Sequence, residues 1–320
     1  MINRRDFLRN ASLVALGGLL AGKPDMLSAT STSVFSDMEA NSSKNFGLQI
    51  YSLGKELTEN VPEGLKKIKS YGYNYIELAG YKDGCLHGMT LKEFKKICDD
   101  CDLEIRSTHV NPPVREYTKS NKQQIMDYWK KTAADHAEIG CKLLIQPGQP
   151  STRSKEEVEY VGEIFNGAGE IAKAAGLKFG YHNHEGEFAY VKAGGKESLF
   201  GRRAVPRESK DEYEIIYDGF MKYTDPSLVF FEMDVYWTVM GQQDPVEYMN
   251  KYKNRIQALH IKDKAVLGKS GMMNFEQIFK LAYSNGIKSF FVELEGMKGG
   301  TQFEGVKGCA DYLLGAKFVK

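Results

Sequence analysis

One pattern recurs along this chain from residue 46 onward: a short run of β-branched or aromatic residues ends in polar residues, and a stretch with helical periodicity follows. The intervals between the starts of these runs are 28, 29, 39, 35, 51, 28 and 32 residues. Strands that alternate with helices at such intervals predict parallel βαβ units. Eight runs begin near Phe46, Asn74, Leu103, Lys142, Leu177, Leu228, Ile256 and Lys288.

Eight units predict an α/β fold, a closed (β/α)₈ TIM barrel, since an open doubly wound sheet usually has fewer strands and often a glycine-rich first turn. Glycines at 72, 140, 176 and 286 come shortly before the next strand, where glycine commonly ends a helix. The 51-residue interval predicts an insertion after strand 5, within residues 191–214. We expect a lid or specificity loop there, whose arginines at 202, 203 and 207 either meet an acidic substrate group or form a solvated surface.

The N-terminus has the composition of an export signal. Arg4 and Arg5 precede Phe7 and an apolar run over residues 11–21, which is shorter than the roughly 20 residues that span a bilayer. The arginine pair resembles the twin-arginine signal, and the alternative is an ordinary amphipathic helix. The sequence predicts an exported, periplasmic protein without a stable membrane anchor. We expect a signal and leader over 1–30, a disordered linker over 31–44 and a single barrel domain over 45–320.

Charge and cysteine content exclude several functions. The chain has 43 basic and 42 acidic residues; residues 1–30 hold four and two of them, so their removal leaves 39 and 40. This balance gives no general attraction to nucleic acid or anionic lipid. The five cysteines form no regular framework. Cys98 and Cys101 have CxxC spacing, but no second pair or nearby histidine completes a zinc site.

Polar residues gather where the predicted strands end, and four of the six histidines are among them. The carboxyl ends of barrel strands meet at one face, where carboxylate and imidazole groups can surround one divalent cation. Mn²⁺, Zn²⁺, Co²⁺ and Mg²⁺ all suit such a mixed set. The ion would polarise a carbonyl or enediolate oxygen while a flanking group moves a proton. The candidates are Glu77, His109, Gln146, His182, His184, Glu185, Asp234, Trp237, His260, Lys262, Glu293 and Glu295.

Four segments carry a resemblance to a known family: GYHNHEGEF at 180–188, TDPSLVFFEMDVYWTVMGQQDP at 224–245, ALHIKD at 258–263 and FFVELE at 290–295, with STH at 107–109 in support. From residue 46 to about 315 the chain resembles the xylose-isomerase-like barrel of sugar phosphate isomerases/epimerases. The family includes ketose epimerases, hydroxypyruvate isomerase, inosose dehydratase and, more distantly, zinc-dependent abasic-site endonucleases.

The resemblance implies roles for individual residues. Asp234 and His260 match metal ligands of strands 6 and 7, and Glu293 matches the strand-8 glutamate that binds metal and moves a proton. The epimerases have a further glutamate ligand in strand 5, but Gly180 is the nearest residue here. We expect His184 or His182 to replace it, with the other, or Glu185, as acid/base.

The remaining candidates are assigned to the substrate. Lys262 is expected to contact a substrate oxygen during catalysis. Glu77, His109, Gln146, Trp237 and Glu295 are expected to bind substrate. Structural alternatives stay open: Glu77 could pair with a neighbouring lysine or arginine, His109 could be a core histidine, and Trp237 could serve packing.

Three functions follow from these assignments. The first is a divalent-metal-dependent isomerase or epimerase that removes a proton next to the carbonyl of a sugar or keto-sugar. The second is a lyase or hydrolase that cleaves 3-keto-glycosides or dehydrates keto-polyols; it would need an oxidoreductase partner that makes the ketone. The third is a carbohydrate-binding barrel without catalysis. The sequence leaves open the sugar, the metal and whether the chain forms a homo-oligomer.

Overall fold

The computed structural model describes residues 44–297 and 299–320. The predicted signal and leader, and all of the predicted linker before Lys44, lie outside the described residues. Within the described part, no helix is both long and apolar enough to cross a bilayer.

Eight parallel strands close into a barrel in sequential order, with β1 paired to both β2 and β8. The predicted (β/α)₈ TIM barrel is therefore confirmed. Each strand begins within one residue of its predicted start. The strands are β1 Gly47–Gln49, β2 Tyr75–Ala79, β3 Glu104–His109, β4 Leu143–Gln146, β5 Lys178–His182, β6 Val229–Asp234, β7 Ile256–Lys262 and β8 Ser289–Glu293.

A helix on the outside of the barrel follows each strand. Their apolar residues recur every three or four positions and face the strands, as Val158, Val161, Phe165 and Ala172 do in the longest helix. Capping boxes start the second and eighth helices, at Thr90 and Thr301. The helices are α1 Val61–Ser70, α2 Leu91–Asp100, α3 Lys122–Glu138, α4 Lys155–Ala174, α5 Ile216–Tyr223, α6 Pro245–Lys251, α7 Phe275–Ser284 and α8 Gln302–Gly315.

Inside the barrel, apolar and polar side chains lie at different levels. The level nearer the amino ends of the strands is an apolar cluster that contains Tyr75, Ile145, Phe230, Ala258 and Phe291. Successive inward-facing residues of a strand are two apart, so the next level toward the carboxyl ends is two residues further along each strand. At that level the residues are polar, and they include Glu77, Glu232, His260 and Glu293. The apolar cluster closes the barrel below them.

The insertion after β5 has secondary structure of its own. Its ends pair as an antiparallel ribbon, Tyr190–Lys192 with Tyr213–Ile215, so the insertion predicted after strand 5 is confirmed. The insertion bonds to the start of α4, where Gly194 N donates to the Glu156 carboxylate. A cleft of about 610 Å³ runs between this insertion, Lys155 and Gln242, and no candidate catalytic or metal-binding residue lines it.

Candidate active site at the carboxyl ends of the strands

Four side chains from four neighbouring strands form a compact group of potential metal ligands. His182, Asp234, His260 and Glu293 each offer one ligand atom, and these atoms all lie within 4.8 Å of one another. His260 Nδ1 is 3.4 Å from Glu293 Oε2 and 3.9 Å from Asp234 Oδ2. Ligand bonds of about 2.1 Å in a tetrahedral arrangement would place ligand atoms about 3.4 Å apart. The spacing therefore fits a single divalent cation.

Two atoms of this group are buried without a hydrogen bond: His182 Nδ1 and Asp234 Oδ2. Buried polar atoms of this kind are rare in folded proteins, and a bound ion is one explanation for them. Burial and the charges of His260 and His109 hold the pKa of His182 well below its usual value, so its imidazole is neutral. The carboxylates of Glu232 and Glu77 hold the pKa of His260 well above its usual value despite its burial, so an ion that binds His260 Nδ1 would displace a proton. Two imidazoles and two carboxylates suit Zn²⁺, Mn²⁺ and Co²⁺.

A second group, formed by His109, His182, Glu232 and His260, is also compact. Its polar atoms are largely paired with one another: His109 Nε2 is 2.8 Å from Glu232 Oε2, and His260 Nε2 is 3.2 Å from that oxygen. Glu232 Oε1 and His182 Nδ1 have no hydrogen bond, but the other polar atoms of this group are paired. The second group is therefore a largely hydrogen-bonded layer that shares His182 and His260 with the first.

The centre of that layer is Glu77, which is fully buried. Its carboxylate accepts from Gln49 Nε2 at 2.7 Å and from Ser107 Oγ at 2.5 Å, and it lies 2.6 Å from His260 Nε2. Burial alone would raise the pKa of Glu77, but attraction to His109 and His260 brings it down to about 2. Glu77 is enclosed by protein, and its carboxylate lies against His260 and His109. Its expected role in substrate binding stays a prediction.

His109 lies between two carboxylates, 3.0 Å from Glu77 Oε1 and 2.8 Å from Glu232 Oε2. Burial would lower its pKa, but these two carboxylates raise it to about 9. Its side chain is 9% exposed, so His109 belongs mainly to the polar layer and only its edge reaches the mouth of the barrel.

The structure explains why strand 5 has a glycine at position 180. A Cβ on Gly180 would lie 2.5 Å from the ring of Phe230, so no side chain fits there. Gly180 pairs with Phe230 and His182 pairs with Glu232 in the register of β5 and β6. His182 is therefore the β5 residue at the level of the metal-ligand group.

Asp234 ends β6 and is also the N-cap of the short helix Val235–Met240. Its Oδ1 accepts from Trp237 N at 2.8 Å, and its backbone is held by Asn183 and Thr238, which bond its N–H and C=O. These contacts aim Oδ2 into the ligand group. Burial raises the pKa of Asp234 to about 7 despite Lys262 and His260.

Lys262 is a buried ammonium group beside the ligand group. Its Nζ donates to Glu293 Oε2 at 2.8 Å, pairs with Glu295 Oε1 at 2.7 Å, and lies 5.1 Å from the Trp237 ring centre. Burial would lower the pKa of Lys262, but the charges of Glu293, Asp234 and Glu295 raise it. A fixed positive charge thus lies next to the Glu293 carboxylate.

The other predicted residues lie further from the ligand group. His184 is beyond the end of β5, half-buried, with its ring 5.0 Å from that of His182 and 5.8 Å from that of Trp237. Glu185 belongs to neither potential ligand group. Gln146 has its amide engaged by the protein: Tyr117 Oη donates to Oε1, and Nε2 donates to Gly148 O. The structure thus groups His182, and not His184, with the other predicted ligands.

Two buried polar residues that bond to Glu77 are not among the sequence candidates: Gln49 and Ser107. The strand-end pattern does point to Glu232, which is two residues before Asp234 and faces the same side of the strand, but it assigns Glu232 no role. Glu232 is buried, and its Oε2 lies 3.2 Å from His260 Nε2.

Comparison with known proteins agrees with this architecture. The family model described as the xylose isomerase-like TIM barrel matches residues 65–308, most of the chain. The chain belongs to this family. The family resemblance predicted from the sequence is thereby confirmed.

Solved structures of this family include near relatives of the chain. A sugar phosphate isomerase/epimerase from Parabacteroides distasonis is 51% identical, with 87% of this chain and 100% of that chain covered and a TM-score of 0.79. A second sugar phosphate isomerase/epimerase from the same species is 46% identical, with 87% and 96% covered and a TM-score of 0.80.

Inosose dehydratases are also similar to the chain. The protein of that name from Clostridium perfringens is 28% identical over 203 residues, which are 59% of this chain and 61% of the relative. The match to the Clostridium beijerinckii protein spans 30% of its length at 29% identity. The chain thus matches less than two thirds of the length of these curated relatives.

Proposed function

We propose that this protein is a divalent-metal-dependent enzyme that removes a proton next to the carbonyl group of a sugar or keto-sugar, with isomerisation or epimerisation as the outcome. The observation that carries the proposal is a pair of buried atoms without a hydrogen bond, His182 Nδ1 and Asp234 Oδ2, at metal-ligand spacing from His260 and Glu293. The sugar isomerase/epimerase and inosose dehydratase relatives support this class of chemistry.

His182, Asp234, His260 and Glu293 would hold the ion. A divalent cation in this position supplies Lewis-acid polarisation of a substrate oxygen. The chain's own residues bind and orient the sugar: the Trp237 ring offers an apolar face against which a sugar ring packs, and Glu295 offers a hydroxyl acceptor at the mouth of the barrel.

Proton movement falls to Glu293, which would also hold the ion, and to the groups beside it. Glu293 and Lys262 form an acid and base pair on one side of the mouth, 2.8 Å apart. His184 lies on the β5 side, half-buried, where its imidazole can exchange a proton with the substrate. In an epimerisation, a group on one side removes the proton from carbon, and a group on the other side donates its own proton to the opposite face.

A second outcome, elimination, is favoured by the position of Lys262. Glu293 would take the proton from the carbon next to a ketone, the electron pair of that C–H bond would form a C=C bond, and the C–O bond at the β-carbon would break. The departing oxygen would take its proton from the adjacent Lys262 ammonium. This outcome needs a substrate that already carries a ketone, supplied by an oxidoreductase.

Metal content of the purified full chain tests the proposal first. Plasma mass spectrometry should find about one divalent ion per chain, lost in Asp234→Ala and kept in Asp99→Ala, a substitution on the exposed end of α2. Incubation of the loaded protein with a panel of keto-sugars then distinguishes the outcomes. Isomerisation conserves the substrate mass, whereas elimination yields an unsaturated product and a free leaving group. Absence of metal binding in the unsubstituted chain would refute the proposal.

A further inference from the structure

A separate cleft of about 330 Å³ opens on the catalytic face, between the loops that follow β3 and β4. Asn111, on one wall, is two residues beyond His109. Gln149 is on the other wall, and its Oε1 contacts Gly186, two residues beyond His184: a Cβ on that glycine would lie 2.8 Å away. Two residues of chain span at most about 7 Å, so the cleft lies directly beside the mouth of the barrel.

The two walls are fixed by hydrogen bonds between the loops. Gly148 N donates to Asn111 Oδ1 at 2.8 Å, and Ser151 N donates to Arg115 O at 2.9 Å. The amide of Gln146 bonds to both Tyr117 and Gly148, and it therefore connects the two loops that form the walls. A cleft with walls held in this way is formed before any ligand arrives, which lowers the entropic cost of binding.

The chemistry of the walls is amphipathic. Pro112 and Pro150 are buried apolar residues, and Val114 and Tyr117 are half-buried beside them. Polar groups of Asn111, Arg115 and Gln149 line the same cleft. A pyranose ring has the same division, with apolar C–H faces and a rim of hydroxyl groups. The volume is at the lower end of the range of about 300–1,000 Å³ for ligand pockets, which suits one ring and not a longer chain.

We propose that this cleft binds a second sugar ring, joined to the ring that reacts at the metal-ligand group, so that the substrate is a glycoside and not a free monosaccharide. This inference rests on the proposed function, because the reacting ring must lie at the mouth of the barrel. The cleft then selects the substrate by its second ring, while His182, Asp234, His260 and Glu293 act only on the first.

The test fills the cleft without touching the metal-ligand group. Val114→Trp places an indole in the cleft, and Lys119→Trp places the same group on an exposed position of the same loop as a matched control. Binding of cellobiose, maltose, sucrose, glucose, phenyl β-glucoside and glucose 6-phosphate to the metal-loaded protein is measured by calorimetry. Circular dichroism and metal content establish that each variant is folded and loaded.

We expect at least one disaccharide to bind the unsubstituted protein tenfold or more tightly than glucose. Val114→Trp should remove that advantage and leave glucose binding within twofold, and Lys119→Trp should change neither. Equal binding of glucose and every disaccharide would overturn the proposal, as would loss of glucose binding in a folded Val114→Trp. Tighter binding of phenyl β-glucoside or glucose 6-phosphate than of every disaccharide would also overturn it, since the cleft would then select an aryl or phosphate group.

These binding affinities are measured independently of turnover. If the disaccharide preference is present but no keto-sugar is converted, the proposed function fails and the cleft assignment stands. If monosaccharides are converted and the disaccharide preference is absent, the cleft assignment fails and the proposed function stands.

Discussion

His260 Nε2 lies 2.6 Å from Glu77 Oε1, while Nδ1 of the same ring faces Glu293 and Asp234. The ring therefore connects the buried polar layer to the metal-ligand group. A carboxylate that accepts from the far nitrogen of a metal-binding histidine fixes its tautomer and its orientation. Glu77 has that relation to His260 without any exposure of its own.

Glu77→Gln should weaken metal binding because the amide holds His260 less firmly and removes a buried negative charge. We expect a loss of about 10- to 100-fold in affinity, measured by competition with a chelator. Glu163→Gln, on the exposed face of α4, is the matched control. Unchanged affinity in Glu77→Gln would show that His260 needs no such support.

His182→Ala and His184→Ala should have different effects, because only His182 lies in the ligand group with Asp234. His182→Ala is expected to lose the metal. His184→Ala is expected to keep about one ion per chain and to lose turnover. Metal content and activity measured on the same preparations check this, and the reverse pattern would make His184 the ligand.

Lys262→Met should lower kcat by about 10²- to 10⁴-fold, as expected when a positioned proton donor is removed. The methionine keeps the length of the apolar stem, so the packing against Trp237 is largely retained. Lys264→Met, two residues away and exposed, is the control. If both variants turn over at the rate of the unsubstituted protein, Lys262 has no part in the chemistry.

Glu187 should make stability depend on pH. It is fully buried, where it accepts from Tyr181 Oη and from His184 N, and burial raises its pKa from 4.5 to about 7. An acid with a raised folded-state pKa contributes stability that is fully present below pH 4.5 and is lost as the pH rises to about 7. The loss amounts to about 3 kcal/mol.

Glu187→Gln keeps an oxygen for His184 N and removes the ionisation. Denaturant unfolding between pH 4.5 and pH 7 should therefore show a flatter dependence in this variant. An identical pH dependence in both proteins would contradict the assignment.

We propose that the chain is exported to the periplasm by the twin-arginine pathway. Replacement of both Arg4 and Arg5 by lysine should leave the full-length precursor inside the cell, whereas Arg9→Lys should not. Fractionation of a bacterial host that has this pathway, followed by mass spectrometry of the N-terminus, measures the outcome. Equal export of the two variants would contradict a twin-arginine signal.

The sequence by itself determined the barrel and much of the site. Strand and helix periods repeat eight times, and parallel strands in a closed barrel bring their carboxyl ends together, so the sequence alone places Asp234, His260 and Glu293 at one face. The residue pattern at each strand end is enough for this placement, because closure of the barrel brings the strand ends together.

Only the tertiary structure decided which side chains share a level within the barrel. His182, and not His184, lies with Asp234, His260 and Glu293 because of where β5 ends and because the Phe230 ring excludes a side chain at Gly180. The contact between Glu77 and His260 depends on the register of strands that lie far apart in sequence. The physical reason is that periodicity gives the direction of each side chain, whereas its depth and partners are set by strand stagger and by packing between residues far apart in sequence.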